Sequence, residues 1–299
     1  MQLLDLRQEG INIQEHIPLS RFTFTKTGGP AEFIAFPRTI EQIKRLIEVT
    51  KENEIPLTVL GNASNLIIRD GGIKGLVILL NQMNQIIALS DHRIKAYAGA
   101  RIINTSEAAY RQSLSGLEFA AGIPGSVGGA VYMNAGAYDG EIKDVLESVT
   151  VLTRDDELKT YTNEEMNFSY RHSLVQENGA VVLFAIFKLK PAKSEPIRTK
   201  MDHLNALRRA KQPLEYPSCG SVFKRPAGHY TGPLIIEAGL QGKQIGGAQV
   251  SMKHAGFIVN VDHATATDYV NLIHLIQTTI KEKYDINLET EVRIIGQEI

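Results

Sequence analysis

Cysteine is nearly absent from the 299-residue chain: Cys219 stands alone, so there is no internal disulfide and no cysteine-built zinc or iron–sulfur centre. That usage fits a reducing compartment, and the expected location is the cytoplasm. Excess charge is absent too, with 32 basic residues against 33 acidic ones and a net charge of −1. No overall basic field draws the chain to nucleic acid or to acidic lipid. Long apolar runs are missing; GAVVLFAIF (179–187) ends at Lys188 and has the length of a strand rather than of a membrane helix. The N-terminal MQLLDLRQEGINIQEH carries acids where a signal peptide would carry bases and then an apolar stretch. The eight histidines show neither H-x-H nor H-E-x-x-H spacing, so no metal site is expected. What remains, at 43% hydrophobic and 22% charged residues, is an ordinary globular composition long enough for two domains.

Glycine, by contrast, is concentrated. Residues 122–141, GIPGSVGGAVYMNAGAYDGE, hold Gly122, Gly125, Gly128, Gly129, Gly136 and Gly140, and no charge precedes Asp139. Glycine loses the most freedom on folding and offers no side-chain contact, so such a run implies that something lies against the backbone. A flat or phosphorylated ligand held by N–H groups needs the missing Cβ. The spacing G-x-x-G-x-x-G-G is neither G-x-G-x-x-G nor a P-loop, and no G-x-S-x-G elbow is present. TKTGGPAE (25–32) and LGNASNLIIRDGG (60–72) add two more nearly neutral loops beside expected strands. Asn62, Ser64 and Asn65 in the second can present N–H donors without bringing charge. Three such loops favour a large dinucleotide over simple turns.

The rest of the pattern is α+β. TIEQIKRLIEVTKEN (39–53) reads as a helix with Thr39 and Gln42 forming a capping box, and a shorter helix is expected over about 104–114. Strands are expected at 57–61, 75–80 and 93–99, then a hairpin at 148–153 and 158–162 with a return strand at 180–189. PAKSEPIR (191–198) reads as a boundary, giving domains 1–193 and 194–299. Beyond it come a helix over 197–211, short strands at 247–251 and 256–260, a helix from a Thr267 cap to about 283, and a closing strand, LETEVRII (288–295).

In SCGSVFKRP (218–226), Ser221 follows Gly220 at a loop edge, with Lys224 and Arg225 near enough to hold an anion or polarise its hydroxyl. The alternative is a surface loop with two solvated bases. RRAKQP (208–213) is a second basic cluster, at a helix C-terminus where cations are favoured in any case. Arg171 in FSYRHS reads by itself as a strand-edge arginine. Glu289 and Glu291 in LETEVR share one strand face, ordinarily the solvent side. Cys219 has no histidine neighbour in sequence and reads as a packing residue.

Taken in order, TKTGGPAE, LGNASNLIIRDGG, AGIPGSVGGAVYMNAGAY, YRHS, CGSVFKRP and LETEVRIIG resemble the UDP-N-acetylenolpyruvoylglucosamine reductases (UDP-N-acetylmuramate dehydrogenases) of bacterial peptidoglycan synthesis. The likeness spans roughly residues 20–296. It implies an FAD-binding domain of the vanillyl-alcohol-oxidase (PCMH) type over 1–193. A smaller α+β substrate-binding domain would cover 194–299, its terminal strand returning towards the active site. It also implies reduction of UDP-GlcNAc-enolpyruvate to UDP-N-acetylmuramate, with non-covalent FAD and with NADPH as hydride-donating co-substrate. On this likeness Ser221 is the proton donor, while Arg171 and Glu291 stabilise the developing enolate. Gly61, Asn62, Ala63, Ser64, Asn65, Gly122, Ile123, Pro124, Gly125, Ser126, Gly128 and Gly129 line the flavin and its pyrophosphate. Arg209, Lys211, Lys224 and Arg225 are candidates for the UDP pyrophosphate, and the oligomeric state is left open. Two departures stand out: Ala63 replaces a frequent glycine, and Asp139 fills a position that is usually small. The absence of a long tyrosine-bearing insertion between Arg171 and Ser221 resembles the shorter subtype. Two rival readings are an FAD oxidase of the same domain type and a nucleotide-sugar-binding module with a degenerate site.

Overall fold

The structure, a computed structural model, describes residues 3–299. Backbone contacts group the chain into two compact units, each assembled from three stretches. The first unit takes the residues up to Gln14, Phe33–Asn62 and Gly75–Arg208; the second takes Glu15–Glu32, Ala63–Lys74 and Arg209–Ile299. The expected boundary at 193/194 falls within the first unit, which runs on to Arg208.

Helices α1 (Ile40–Glu52), α2 (Ile102–Arg111), α3 (Val127–Tyr132), α4 (Leu174–Asn178) and most of α5 (Ser194–Lys211) belong to the first unit. At the start of α1, Thr39 Oγ1 accepts the Gln42 N–H at 3.2 Å, as expected of a cap. The return bond reaches one residue further back, from Arg38 N–H to Gln42 Oε1 at 2.7 Å, so the box is not reciprocal on Thr39. Ile43 and Leu46 then lie on the buried side, which is what the i, i+3 spacing predicts. The central sheet is antiparallel, in the order Leu158–Thr162, Leu146–Leu152, Val181–Lys188, Arg93–Tyr97, Ile86–Leu89. Hairpin and return strand therefore form close to where they are expected, at Leu146–Leu152, Leu158–Thr162 and Val181–Lys188. Val149, Leu183, Phe187 and Ile94 are fully buried from this sheet, and emptying a site such as Phe187 to alanine costs about 3–5 kcal/mol. Leu57–Leu60 pairs in parallel with the end of Ile73–Leu79, Leu57 opposite Leu76 and Leu60 opposite Leu79.

Helix α5 begins at Ser194 rather than 197, running through the stretch read as a boundary. Pro196 is no obstacle, because a proline in the first turn lacks only an N–H that would have no partner there. Asp139 also finds its explanation. Gly136–Ala137 pairs antiparallel with Gly140–Glu141, and the two residues between, Tyr138 and Asp139, have φ of 52° and 63°. A two-residue hairpin turn with both central residues left-handed is the arrangement aspartate tolerates well. Gly140 is required by close packing, since a Cβ there would sit 2.8 Å from the Phe119 ring.

The second unit contains α6 (Thr231–Glu237) and α7 (Ala266–Tyr284) with a sheet in the order Ser218–Ser221, Phe257–Asn260, Ala248–Val250, Gln244–Ile245. Tyr269, Ile273, Ile276 and Ile280 form the buried face of α7. The cap of α7 is Thr265, not Thr267, because Asp268 at the third helical position completes a reciprocal box with Thr265. Thr267 instead donates its hydroxyl and its N–H to Asp70 Oδ2, at 2.6 and 2.8 Å. The closing strand is also shorter than expected, Arg293–Ile295, because its parallel partner Leu66–Ile68 offers only three residues. The preceding backbone turns its hydrogen bonds elsewhere, which decides the positions of Glu289 and Glu291. No helix among the described residues is long and apolar enough to cross a membrane.

Candidate active site

The glycine-rich run opens α3, and Ser126 caps it by accepting the Gly129 N–H at 3.3 Å. Val127 and Gly128 donate to Ala100 and Ala98 carbonyls at 2.8 Å, pinning the run to the sheet side of the first unit. Gly128 has little room, a Cβ there lying 3.0 Å from Ala98 Cβ. The loop after Leu57–Leu60 meets this run directly. Asn62 Nδ2 donates to Pro124 O at 2.7 Å, and a Cβ on Gly61 would fall 2.2 Å from Ser126 Oγ. The structure thus brings Gly61 and Asn62 against Pro124, Ser126 and Gly129, residues 62 or more positions away in the chain.

Beyond Asn62 the chain passes into the second unit. Ala63 sits at φ 44°, so the position does hold the left-handed backbone that glycine favours, and its Cβ is carried at a strain of about 1 kcal/mol. Its carbonyl accepts the Phe24 N–H at 3.3 Å. Among the described residues, the amides of Asn62, Ala63 and Ser64 donate to no protein acceptor. Uncommitted amides and a surface bare of side chains fit a cofactor with a pyrophosphate and a flat ring, so the residues present are compatible with FAD.

Ser221 ends its strand at a bulge. The register against the neighbouring strand slips between Ser218, opposite Val259, and Ser221, opposite Phe257. Gly220 absorbs the bend at φ 80°, and such a bulge re-aims the side chain that follows it. Ser221 is half-buried, and among the described residues its Oγ hydrogen-bonds no protein atom. Glu291 N–H donates to Val222 O at 2.8 Å, and Asn65 Nδ2 donates to Glu291 O at 3.1 Å. Asn65, Val222 and Glu291 are therefore tied into one hydrogen-bonded cluster of the second unit, with Ser221 the chain neighbour of Val222. Glu291 is half-buried there, and Glu289 is turned out to Lys224 Nζ at 3.0 Å. The two acids do not share one solvent face, because the stretch is irregular rather than a strand.

Arg171 lies in the first unit with φ 56°, in a tight turn closed by hydrogen bonds between Ser169 and His172. Its guanidinium lies 5.4 Å from the Tyr170 ring centroid. A left-handed, non-glycine backbone is strained, and strain of this kind persists only where surroundings enforce it.

Of the four proposed phosphate-binding cations, the side chains of Lys224 and Arg225 have partners within the protein. Lys224 pairs with Glu289, the Arg225 guanidinium stacks 3.8 Å from the Tyr230 centroid, the Arg209 carbonyl accepts Lys253 Nζ at 2.8 Å, and Lys211 is exposed at the end of α5. Sequence reasoning missed Arg208. Its Cδ would be 2.9 Å from a Cβ on Gly122, and burial lowers its guanidinium pKa, with Tyr138 pulling the other way. A desolvated arginine against the glycine run meets an anion far more strongly than a solvated one. Helical phase carried the signal: Met201, Asn205 and Arg208 recur at i, i+4 and i+7, on one face.

His254 also supports the serine strand. Its Nδ1 accepts the Gly256 N–H at 3.1 Å, the Gly256 carbonyl accepts the Val222 N–H at 2.9 Å, and its ring lies edge-on to Phe257 with centroids 4.8 Å apart. Burial holds the imidazole below its ordinary pKa, and only the neutral ring can accept at Nδ1. The unfolded chain therefore binds the extra proton first. The stability contributed here is complete above about pH 6.5 and is lost as pH falls towards the lowered folded value. Guanidinium unfolding at pH 7.5 and 5.5 is expected to show a smaller loss of stability on acidification in His254→Gln than in the parent. Equal losses in both would exclude His254 as a source of the pH dependence.

Comparison with known proteins gives the same picture as the motifs. A family model described as UDP-N-acetylenolpyruvoylglucosamine reductase, C-terminal domain, matches residues 212–295, and one described as FAD binding domain matches residues 31–162. The UDP-N-acetylenolpyruvoylglucosamine reductase of Lactobacillus johnsonii is 68% identical over 299 residues, covering 100% of this chain and 99% of that protein. That of Lactobacillus helveticus is 66% identical over 298 residues, covering 100% of both. Among solved structures, the UDP-N-acetylenolpyruvylglucosamine reductase of Thermus caldophilus aligns with a TM-score of 0.82 at 35% identity, covering 95% of this chain and 99% of that one.

Proposed function

The chain belongs to the UDP-N-acetylenolpyruvoylglucosamine reductase family, and we propose that it reduces the enol ether of UDP-GlcNAc-enolpyruvate to the lactyl ether of UDP-N-acetylmuramate, using NADPH. It is an oxidoreductase with a PCMH-type FAD-binding domain and a family-specific C-terminal domain. FAD, held by Gly61 to Asn65 and Gly122 to Gly129, would supply two-electron hydride chemistry between NADPH and the enolpyruvyl group. In this reading residues 1–193 hold FAD and residues 194–299 hold the nucleotide substrate.

The protein's own groups do the rest. Gly61 to Asn65 and Gly122 to Gly129 offer the cofactor a side-chain-poor surface, and the amides of Asn62, Ala63 and Ser64 add N–H donors with no protein acceptor among the described residues. Arg208 adds a desolvated positive charge beside Gly122. Arg171 and Glu291 stabilise the negative charge that develops towards the substrate carboxylate once hydride has arrived, Arg171 by its charge and Glu291 as an acid. Ser221 gives its Oγ proton to the carbon alpha to that carboxylate. A hydroxyl is a weak acid, so the transfer needs the carbanion-like basicity of that carbon. Arg209, Lys211, Lys224 and Arg225 remain the cations for the UDP pyrophosphate.

The observation that carries this reading is the tie of Glu291 N–H to Val222 O beside Ser221, in a chain of this family. Purified protein is expected to be yellow, to bleach with NADPH, and to regain its absorption when UDP-GlcNAc-enolpyruvate is added. Protein that stays colourless after incubation with FAD, or bleaches and never recovers with that nucleotide, would sink the assignment.

A further inference from the structure

We propose that Gln176 is the positioning residue that holds Arg171 in its left-handed turn by bracing it against the end of α3; the inference rests on the role for Arg171 proposed above. Gln176 lies half-buried on α4. Its Nε2 donates to Tyr132 O at 2.6 Å and to Arg171 O at 3.0 Å. Both acceptors are carbonyls, so only the two-donor amine side of the amide can face them. Tyr132 is the last residue of α3, where carbonyls lack a partner within the helix. One amide therefore joins the C-terminal end of the helix that Ser126 opens to the backbone of Arg171.

The two bonds are not equally replaceable. Tyr132 O has a second donor, Ser173 Oγ at 2.7 Å. At Arg171 O, Gln176 is the donor that reaches across from another element. Arg171 needs that donor, because φ 56° is unfavourable for a side-chain-bearing residue and the turn would relax without a tether. Asn134 supports the other side of the turn through Nδ2 on Ser169 O at 3.1 Å, so Asn134 and Gln176 brace the turn at two different carbonyls. Removing the Gln176 amide thus takes away the brace at Arg171 O while Tyr132 O keeps its bond from Ser173 Oγ.

The test uses the FAD-loaded protein and three variants: Gln176→Leu, Ser173→Ala and Arg171→Ala, with the Gln176→Leu/Arg171→Ala double. Gln176→Leu is expected to leave reduction by NADPH unchanged and to slow reoxidation by UDP-GlcNAc-enolpyruvate by about 10- to 100-fold, the cost of a small misplacement. Ser173→Ala is expected to lower thermal stability with little effect on reoxidation. In the Arg171→Ala background, Gln176→Leu should add no further slowing, because the group it positions is already gone. Without FAD, trypsin is expected to cut Gln176→Leu after Arg171 faster than it cuts the parent, at matched thermal stability.

Multiplicative slowing in the double variant, or a parent-like Gln176→Leu in both assays, overturns the inference. Arg171→Ala reoxidised at the parent rate would instead remove the role proposed for Arg171 and the catalytic half of this inference with it. The trypsin rates then decide by themselves whether Gln176 pins the turn.

Discussion

Ser221→Ala is expected to take hydride from NADPH at the parent rate and to pass it to UDP-GlcNAc-enolpyruvate about 10²–10⁴ times more slowly. In free-energy terms the loss is about 3–5 kcal/mol of transition-state stabilisation. The asymmetry between half-reactions follows from chemistry: the first needs no proton at carbon, and the second leaves a basic carbon that must take one. Folding should survive the change. Ser221 Oγ makes no protein hydrogen bond among the described residues, and the bulge that aims it is built by Gly220 backbone. Ser221→Cys retains a donor at the same position and is expected to recover part of the rate. Stopped-flow traces of the two half-reactions decide the matter, and equal slowing of both would strip Ser221 of its assigned proton.

Gly61→Ala is expected to yield folded protein that has largely lost its flavin. The new Cβ would lie 2.2 Å from Ser126 Oγ and 3.4 Å from Ser126 Cβ, a serine that is 2% exposed and cannot swing away into solvent. Either Ser126 leaves the Gly129 N–H, or the loop retreats and breaks the bond from Asn62 to Pro124. Overpacking of this kind costs about 1–3 kcal/mol, which corresponds to a roughly 10- to 100-fold weaker FAD affinity if the bound state carries it. The cap of α3 contributes about 1 kcal/mol to stability, so the fold itself tolerates the change. Removing the obstructing hydroxyl offers an internal control. Gly61→Ala/Ser126→Ala should regain FAD affinity relative to Gly61→Ala while keeping the small stability loss, a non-additive cycle. FAD titration followed by flavin fluorescence measures it, and parent-like affinity in Gly61→Ala would mean that this junction does not carry the cofactor.

Local elements were largely legible. Leu158–Thr162 spans the residues expected for the second strand of its hairpin, and α1 starts at its Thr39 cap. Such features depend on residues within one or two turns of each other. Errors came where two local signals competed. Thr265 and Thr267 are both acceptable caps, and the Asp70 carboxylate, nearly two hundred positions away, takes the second one's hydroxyl. Pro196 looked like a break and proved a first-turn residue. LETEVRII alternates like a full strand, yet pairing extends only as far as Leu66–Ile68 provides a partner.

At the site the same boundary holds. From its own residues the chain specifies six motifs in series, membership of a reductase family, and glycine-rich, uncharged loops suited to a dinucleotide, because residue type and short spacing carry that information. Tertiary structure alone decided that Asn62 meets Pro124 across 62 residues, and that Asn65 ties to Glu291 across 226. It also decided that Arg208 rather than Arg209 faces Gly122, and that Gln176 reaches both Tyr132 and Arg171. Hydrogen bonds between distant segments depend on how the sheets and helices pack, and neighbouring residues in the chain feel none of that geometry until the packing exists.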